Sequence, residues 1–138
     1  MVSSKEISEQ FRRDLKSLNY YKAKLDDVNY ELEGLNVKLQ GVSSPGIKDV
    51  IIENKDPYKN RILELICQEE ELIKQRDVLI YTIKQIESKL NSLPKRIRKV
   101  CIELYVKGKN SENVAFDNGY EYTAVMYRDI NRYIEKLG

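Results

Sequence analysis

The sequence predicts an all-α protein: a long antiparallel coiled-coil helical hairpin over residues 1–93, then a small three-helix head over 94–138. Three observations carry that prediction. Apolar residues recur every seven positions along two separate stretches. One link between them, residues 41–57, holds two prolines and two glycines. After Leu93-Pro94 the repeat gives way to three short periodic segments, divided by Gly108 and by Asn118-Gly119. Composition agrees, because 33% charged and 41% apolar residues with no Trp suit charged helices better than a sandwich or a large enzyme core.

In the first stretch one heptad column reads Phe11, Leu18, Leu25, Leu32 and Leu39, and Tyr21, Val28 and Leu35 fill the other. The second stretch repeats Leu65, Leu72, Leu79, Ile86 and Leu93, interleaved with Ile62, Ile83 and Leu90. An apolar spacing of about 3.5 residues sustained over several heptads is the packing repeat of a coiled coil. Two matched helices of about 30 residues, each roughly 45 Å long, pair most simply as an antiparallel hairpin. A further column, Ile66, Ile73 and Ile80, widens the second helix's apolar face beyond what one facing helix covers, so a homodimer or higher homo-oligomer is expected. Glu69 and Arg76 fall in the seam. They either snorkel at the edge of a wide face or pair with a partner helix and set register. The 17-residue link is long for a hairpin turn. It is expected to be a flexible linker, with "IKDVII" as the alternative of a short strand or hydrophobic hook.

The head opens at Pro94, which suits a helix start because its missing N–H would have no partner there. Ile97, Val100, Cys101, Leu104 and Tyr105 then follow helical spacing. Gly108 stops this helix, and Asn110 or Ser111 can cap the next, "SENVAFDNG". The last helix is expected over about residues 122–137. Met126, Ile130, Tyr133, Ile134 and Leu137 form its apolar stripe, with Val125 at the shoulder, and pack on the first helix and on Val114 and Phe116. A short helix, a Gly-containing turn and a longer helix form the helix-turn-helix pattern, which lays its second helix in the major groove of DNA.

Charge supports that expectation. Residues 94–138 hold nine Lys/Arg against six Asp/Glu, whereas 1–93 hold fifteen against sixteen. Lys95, Arg96, Arg98, Lys99, Lys107 and Lys109 crowd one short segment whose sole acid is Glu103. Such a cluster is what phosphate contacts require, although a solvated helix face would read the same way. On the last helix the polar face presents Tyr122, Thr123, Tyr127, Arg128, Asn131 and Arg132. Tyr122, Thr123 and Tyr127, nearest the helix start, are the candidates for base edges, and Arg128 and Arg132 for phosphate. Tyr120, Tyr122 and Tyr127 could equally be packing residues. Glu121 at the cap favours the helix N-terminus but would repel a close phosphate.

Other functions find little support. The chain has no His, no Gly-rich phosphate loop, no Cys-x-x-Cys and no paired acids in an expected pocket, so neither an enzyme nor a metal or cofactor site is expected. Cys67 and Cys101 each sit on an apolar stripe and are expected to be buried and reduced. No stretch reaches the roughly 18 apolar residues of a membrane span, and "MVSSKEISEQ" lacks the apolar core of a signal peptide. A cytoplasmic protein without membrane contact is expected.

The segment "LPKRIRKVCIELYVKGKNSENVAFDNGYEYTAVMYRDINRYIEKL" resembles region 4 of bacterial sigma factors. "LNYYKAKLDDVNYELEGL" placed ahead of it makes the whole layout similar to phage and prophage late-gene regulators of the RinA and ArpU type. The resemblance implies a non-enzymatic transcriptional activator acting in a bacterial host cell, with promoter double-stranded DNA and RNA polymerase as partners. Where sigma-like recognition helices often start with Arg and Lys, this one starts "YEYTAVMY", so dimerisation is expected to supplement affinity. Two alternatives remain: an adaptor that binds RNA polymerase or another protein, and a small terminase-like DNA-binding subunit.

Overall fold

The computed structural model describes residues 3–41 and 57–137, with side chains from residue 59 onward in the second stretch. Among the described residues the chain is all-helical. Its five helices are α1 (Ser4–Gly41), α2 (Pro57–Asn91), α3 (Lys95–Cys101, continued by a π-helical turn Ile102–Val106), α4 (Ser111–Asp117) and α5 (Thr123–Ile134). No helix among these is long and apolar enough to cross a membrane. The interior of the 41–57 link, with its "IKDVII", lies outside the described residues.

Helix α1 begins about two turns before Phe11, where the heptad starts. Ser3 explains why: its Oγ accepts from the Glu6 N–H at 3.2 Å, the first half of a Ser-x-x-Glu cap. The chain divides into two compact units, 23–81 and 1–22 with 82–138. This division cuts both long helices instead of falling at Leu93.

In the unit 23–81, Val28, Leu32 and Leu35 of α1 and Ile62 and Leu65 of α2 are buried. The two helix segments run antiparallel. Lys24 shares a groove with Glu71, Gln75 and Leu79, whereas Gly34, Leu35 and Lys38 share one with Gln68 and Leu72. Ile66, Ile73 and Ile80, together with Glu69 and Arg76, are half-buried. Arg76 bonds the neighbouring Asp77 at 3.2 Å. Cys67 is exposed, contrary to expectation. It lies two residues beyond buried Leu65, about 200° round the helix, and so points away from the packed face.

The other unit holds the larger core. Phe11, Leu15 and Leu18 of α1, spaced i, i+4, i+7, are buried at 2%, 0% and 3% exposure. Leu15 belongs to neither heptad column, so this end of α1 buries a stripe of the 3.6-residue kind rather than a narrow seam. Ile83, Ile86 and Leu90 of α2 and Leu93 after it are buried, as are Ile97, Val100 and Cys101 of α3 and Val114 and Ala115 of α4. Met126, Ile130 and Ile134 of α5 are wholly enclosed. Lys22 reaches Glu87 across α1 and α2 at 3.5 Å.

The π-helical turn corrects the expected core. The Lys107 N–H donates to the Ile102 carbonyl five residues back at 2.9 Å, so one residue is inserted into the turn. Leu104 in this turn is only half-buried, and Glu103, three residues on from buried Val100, is buried. Phe116 is 83% exposed while its neighbour Ala115 is buried. Tyr133 and Leu137 are half-buried.

Burial pushes the Cys101 thiol up to about 12, opposed only weakly by Arg12. The thiolate is the reactive form. In the folded protein a maleimide reagent should therefore label Cys67 rapidly and leave Cys101 unmodified until denaturant is added. Equal labelling rates in native buffer would contradict this placement. The stability contributed by the neutral Cys101 thiol is fully present below the ordinary cysteine pKa. It is lost as pH rises from there through about 12.

Candidate nucleic-acid interface

Residues 95–134 position the candidate residues, and each junction has an identifiable cause. Pro94 sits at the N-cap of α3 (φ −55°, ψ 149°), and its carbonyl accepts from the Arg98 N–H at 2.8 Å. Arg98 also folds back, donating Nη2 to the carbonyls of Asn91 and Leu93 at 3.2 and 3.1 Å. Those carbonyls close α2 and the turn after it, where intrahelical donors run out. Gly108, at φ 66°, takes the left-handed conformation that ends α3. The Asn110 side chain then accepts from the N–H groups of Glu112 and Asn113 at 2.8 and 3.4 Å, capping α4.

The turn between α4 and α5 is braced from α3. Gly119 has φ 79°, a conformation costly for any residue with a Cβ. Asn118 donates from Nδ2 to the Val114 carbonyl at 2.7 Å and to Glu103 Oε2 at 3.3 Å. Arg96 donates Nη2 to the Asn118 carbonyl at 2.9 Å, and its guanidinium stacks 4.2 Å over the buried Tyr120 ring. Tyr120 in turn donates its hydroxyl to Asp129 Oδ2 of α5 at 3.1 Å. Burial first, and then that bond to Asp129, hold the Tyr120 hydroxyl above the usual tyrosine range. The turn that aims α5 is therefore fastened by Glu103, Arg96 and Asp129.

Most of the candidate residues face outward. On α5 and its cap, Tyr122 is 67% exposed, Arg128 and Arg132 are exposed, and Thr123 is half-buried. The first turn of α5 carries no side-chain cap. Tyr127 and Asn131 are half-buried on the flank nearest α1. There Arg12 of α1 donates Nη2 to Asn131 Oδ1 and Nε to the Tyr105 hydroxyl, the latter at 3.1 Å. Burial raises the Tyr105 hydroxyl above its ordinary value, with Arg12 pulling the other way and Tyr127 adding a smaller push upward. Among the basic candidates, Lys95, Arg96, Lys99, Lys107 and Lys109 are all exposed. Arg96 is engaged with the turn, and Lys99 lies 4.0 Å from Glu103. Lys95, Lys107 and Lys109 have no ion pair among the described residues.

Two features of this surface had no sequence signal. Arg12 and Lys16 of α1 belong to neither heptad column, and nothing in the residue order ties them to the head. The pair Phe116 and Tyr122 was expected to divide between core and surface, yet both are exposed beside a cleft of about 370 Å³ lined also by Glu112, Ala115 and Glu121. Among the described residues no cluster of His, Cys, Asp or Glu is suited to a metal ion. A comparison of the chain with protein families, characterised proteins and solved structures finds no match.

Proposed function

We propose that this chain is a DNA-binding transcription regulator whose α4, Gly119 turn and α5 work as a helix-turn-helix. In this reading α5 is the recognition helix, and paired α1 and α2 form a coiled-coil stalk. The observation that carries the reading is the outward face of α5. Arg128 and Arg132 stand exposed one turn apart, the uncapped first turn offers Thr123 and Tyr122, and exposed Lys95, Lys107 and Lys109 lie on α3 and the loop after it. Arginine and lysine at that spacing suit successive phosphates, while the first turn suits base edges. The likeness to RinA and ArpU type regulators adds the phage late-gene setting, activation, and RNA polymerase as a further partner.

A fluorescence anisotropy titration against the gene's own flanking duplex DNA, at two salt concentrations, tests the reading. Binding that is sequence-selective and falls steeply with salt is expected, because neutralised phosphates release counterions. Absence of binding at low salt overturns it.

One observation favours a second reading, a protein-binding adaptor. The cleft between Phe116 and Tyr122 is edged by Glu112 and Glu121, a chemistry that repels phosphate and welcomes a basic, apolar segment of another protein. A small terminase-like subunit is a third, and would reveal itself by the mass of a large ring.

The proposed dimer uses the outer face of α2. An antiparallel partner helix centred on Ile73 would set Ile66 against Ile80 of the other copy and Arg76 against its Glu70, giving a self-complementary contact. Ile73→Glu with Ile80→Glu should therefore halve the mass seen by light scattering while leaving thermal unfolding of the head in place. A monomeric wild-type protein sinks the dimer.

A further inference from the structure

We infer that the N-terminal helix completes the DNA-contacting surface, with Lys16 of α1 binding backbone phosphate beside α5 and Arg12 fastening that face to the head. The inference rests on the DNA-binding reading of α5. Arg12, Lys16 and Asn19 recur at i, i+4 and i+7 and so share one face of α1. Contacts at both ends of that face fix it against the head. Arg12 donates to Asn131 of α5 and to the Tyr105 hydroxyl, and Asn19 Nδ2 donates to the Val106 carbonyl at 3.1 Å. Lys107, one of the exposed lysines, is the next residue after Val106.

Between these anchors two cations crowd one aromatic ring. The Arg12 guanidinium and the Lys16 ammonium each lie 6.0 Å from the centre of the Tyr105 ring. The ring's negative face attracts each cation by only about 0.5–1 kcal/mol at an exposed site, and the cations repel one another. Neither forms an ion pair with a carboxylate among the described residues. Lys16 is exposed, whereas Arg12 is half-buried and committed to its two hydrogen bonds. The missing component is an anion on the solvent side of the pair. A DNA phosphodiester fits, because Asn131, which Arg12 grips, stands between Arg128 and Arg132 on α5. The cationic rim then runs from α5 through Arg12 and Lys16 to Lys107.

The test is a salt series of duplex titrations on the full chain, comparing wild type with Lys16→Ala, Lys16→Glu and Lys22→Ala. Lys22 lies on the same helix but pairs with Glu87, so its removal should leave DNA binding unchanged. Lys16→Ala should weaken affinity about threefold to tenfold at low salt and make the log–log salt slope shallower by about one phosphate contact. Lys16→Glu should weaken it further. Circular dichroism should match wild type, since Lys16 is exposed. If wild type binds DNA and both Lys16 variants keep its slope, α1 is not part of the interface while the assignment of α5 stands. If wild type itself fails to bind, the DNA-binding reading falls and this inference with it.

Discussion

Ile130→Ala should destabilise the unit formed by 1–22 and 82–138 by about 2–5 kcal/mol. Ile130 has no exposed surface, and Met126 and Ile134 on either side of it along α5 are equally enclosed. Truncation there removes apolar contacts and leaves a cavity that three short helices cannot collapse to fill, so the cost belongs at the upper part of the large-to-small range. Urea unfolding followed by circular dichroism measures it, with Val125→Ala as control. Val125 is 39% exposed and its truncation should shift stability by no more than roughly 0.5 kcal/mol. Similar midpoints for the two variants would show that α5 does not carry the core of this unit. The loss should also be visible as weakened DNA binding at temperatures where the variant head is partly unfolded.

Arg128→Ala with Arg132→Ala should lower DNA affinity on the order of tenfold or more, across sequences, and flatten the salt dependence by about two phosphate contacts. Both side chains are exposed and form no ion pair among the described residues, so the unfolding midpoint should stay close to wild type. That separation of effects matters: Ile130→Ala acts through stability, this pair through charge. A double variant that binds like wild type would mean that DNA, if bound at all, meets a different face. The acidic cleft between Phe116 and Tyr122 would then become the surface to probe with a basic peptide.

The sequence was most legible where one local rule dominated. Helical periodicity foretold the helices, and the described residues are all-helical. Gly108 and Gly119 were readable as helix ends because left-handed backbone favours glycine, and both have positive φ. Asn110 was one of two offered caps for α4 and is the one that caps it. The boundaries of α4 followed from "SENVAFD" lying between that cap and Asn118-Gly119. Met126, Ile130 and Ile134 were placed in the core by spacing alone, since a short helix with one apolar stripe has one way to bury it.

Other assignments failed because they depend on what lies across space. Periodicity assumes 3.6 residues per turn, and the π-helical turn at Ile102–Val106 departs from it, leaving Leu104 half-buried with no warning in the residue types. Phe116 and Cys67 were placed inside by hydrophobicity, but Val114 and Ala115 fill the inward arc of α4, and Cys67 lies about 200° round the helix from buried Leu65. Arg96 looked like a phosphate contact and is instead stacked on Tyr120, bonded to the turn it braces. Charge counting has no means of telling a cation aimed at solvent from one spent on a ring.

Residue order sufficed for the helical character of the described residues and for the helix stops at Gly108 and Gly119, because these follow from backbone conformational preference and from periodicity within a few turns. Tertiary structure alone decided which charged residues are left free. It brought Arg12 to Asn131 and Tyr105, 119 and 93 positions away along the chain, and it gathered Glu103, Arg96 and Asp129 about the turn before α5. Hydrogen bonds and cation–π contacts of that range depend on how helices pack, and no periodic pattern in the residue order encodes them.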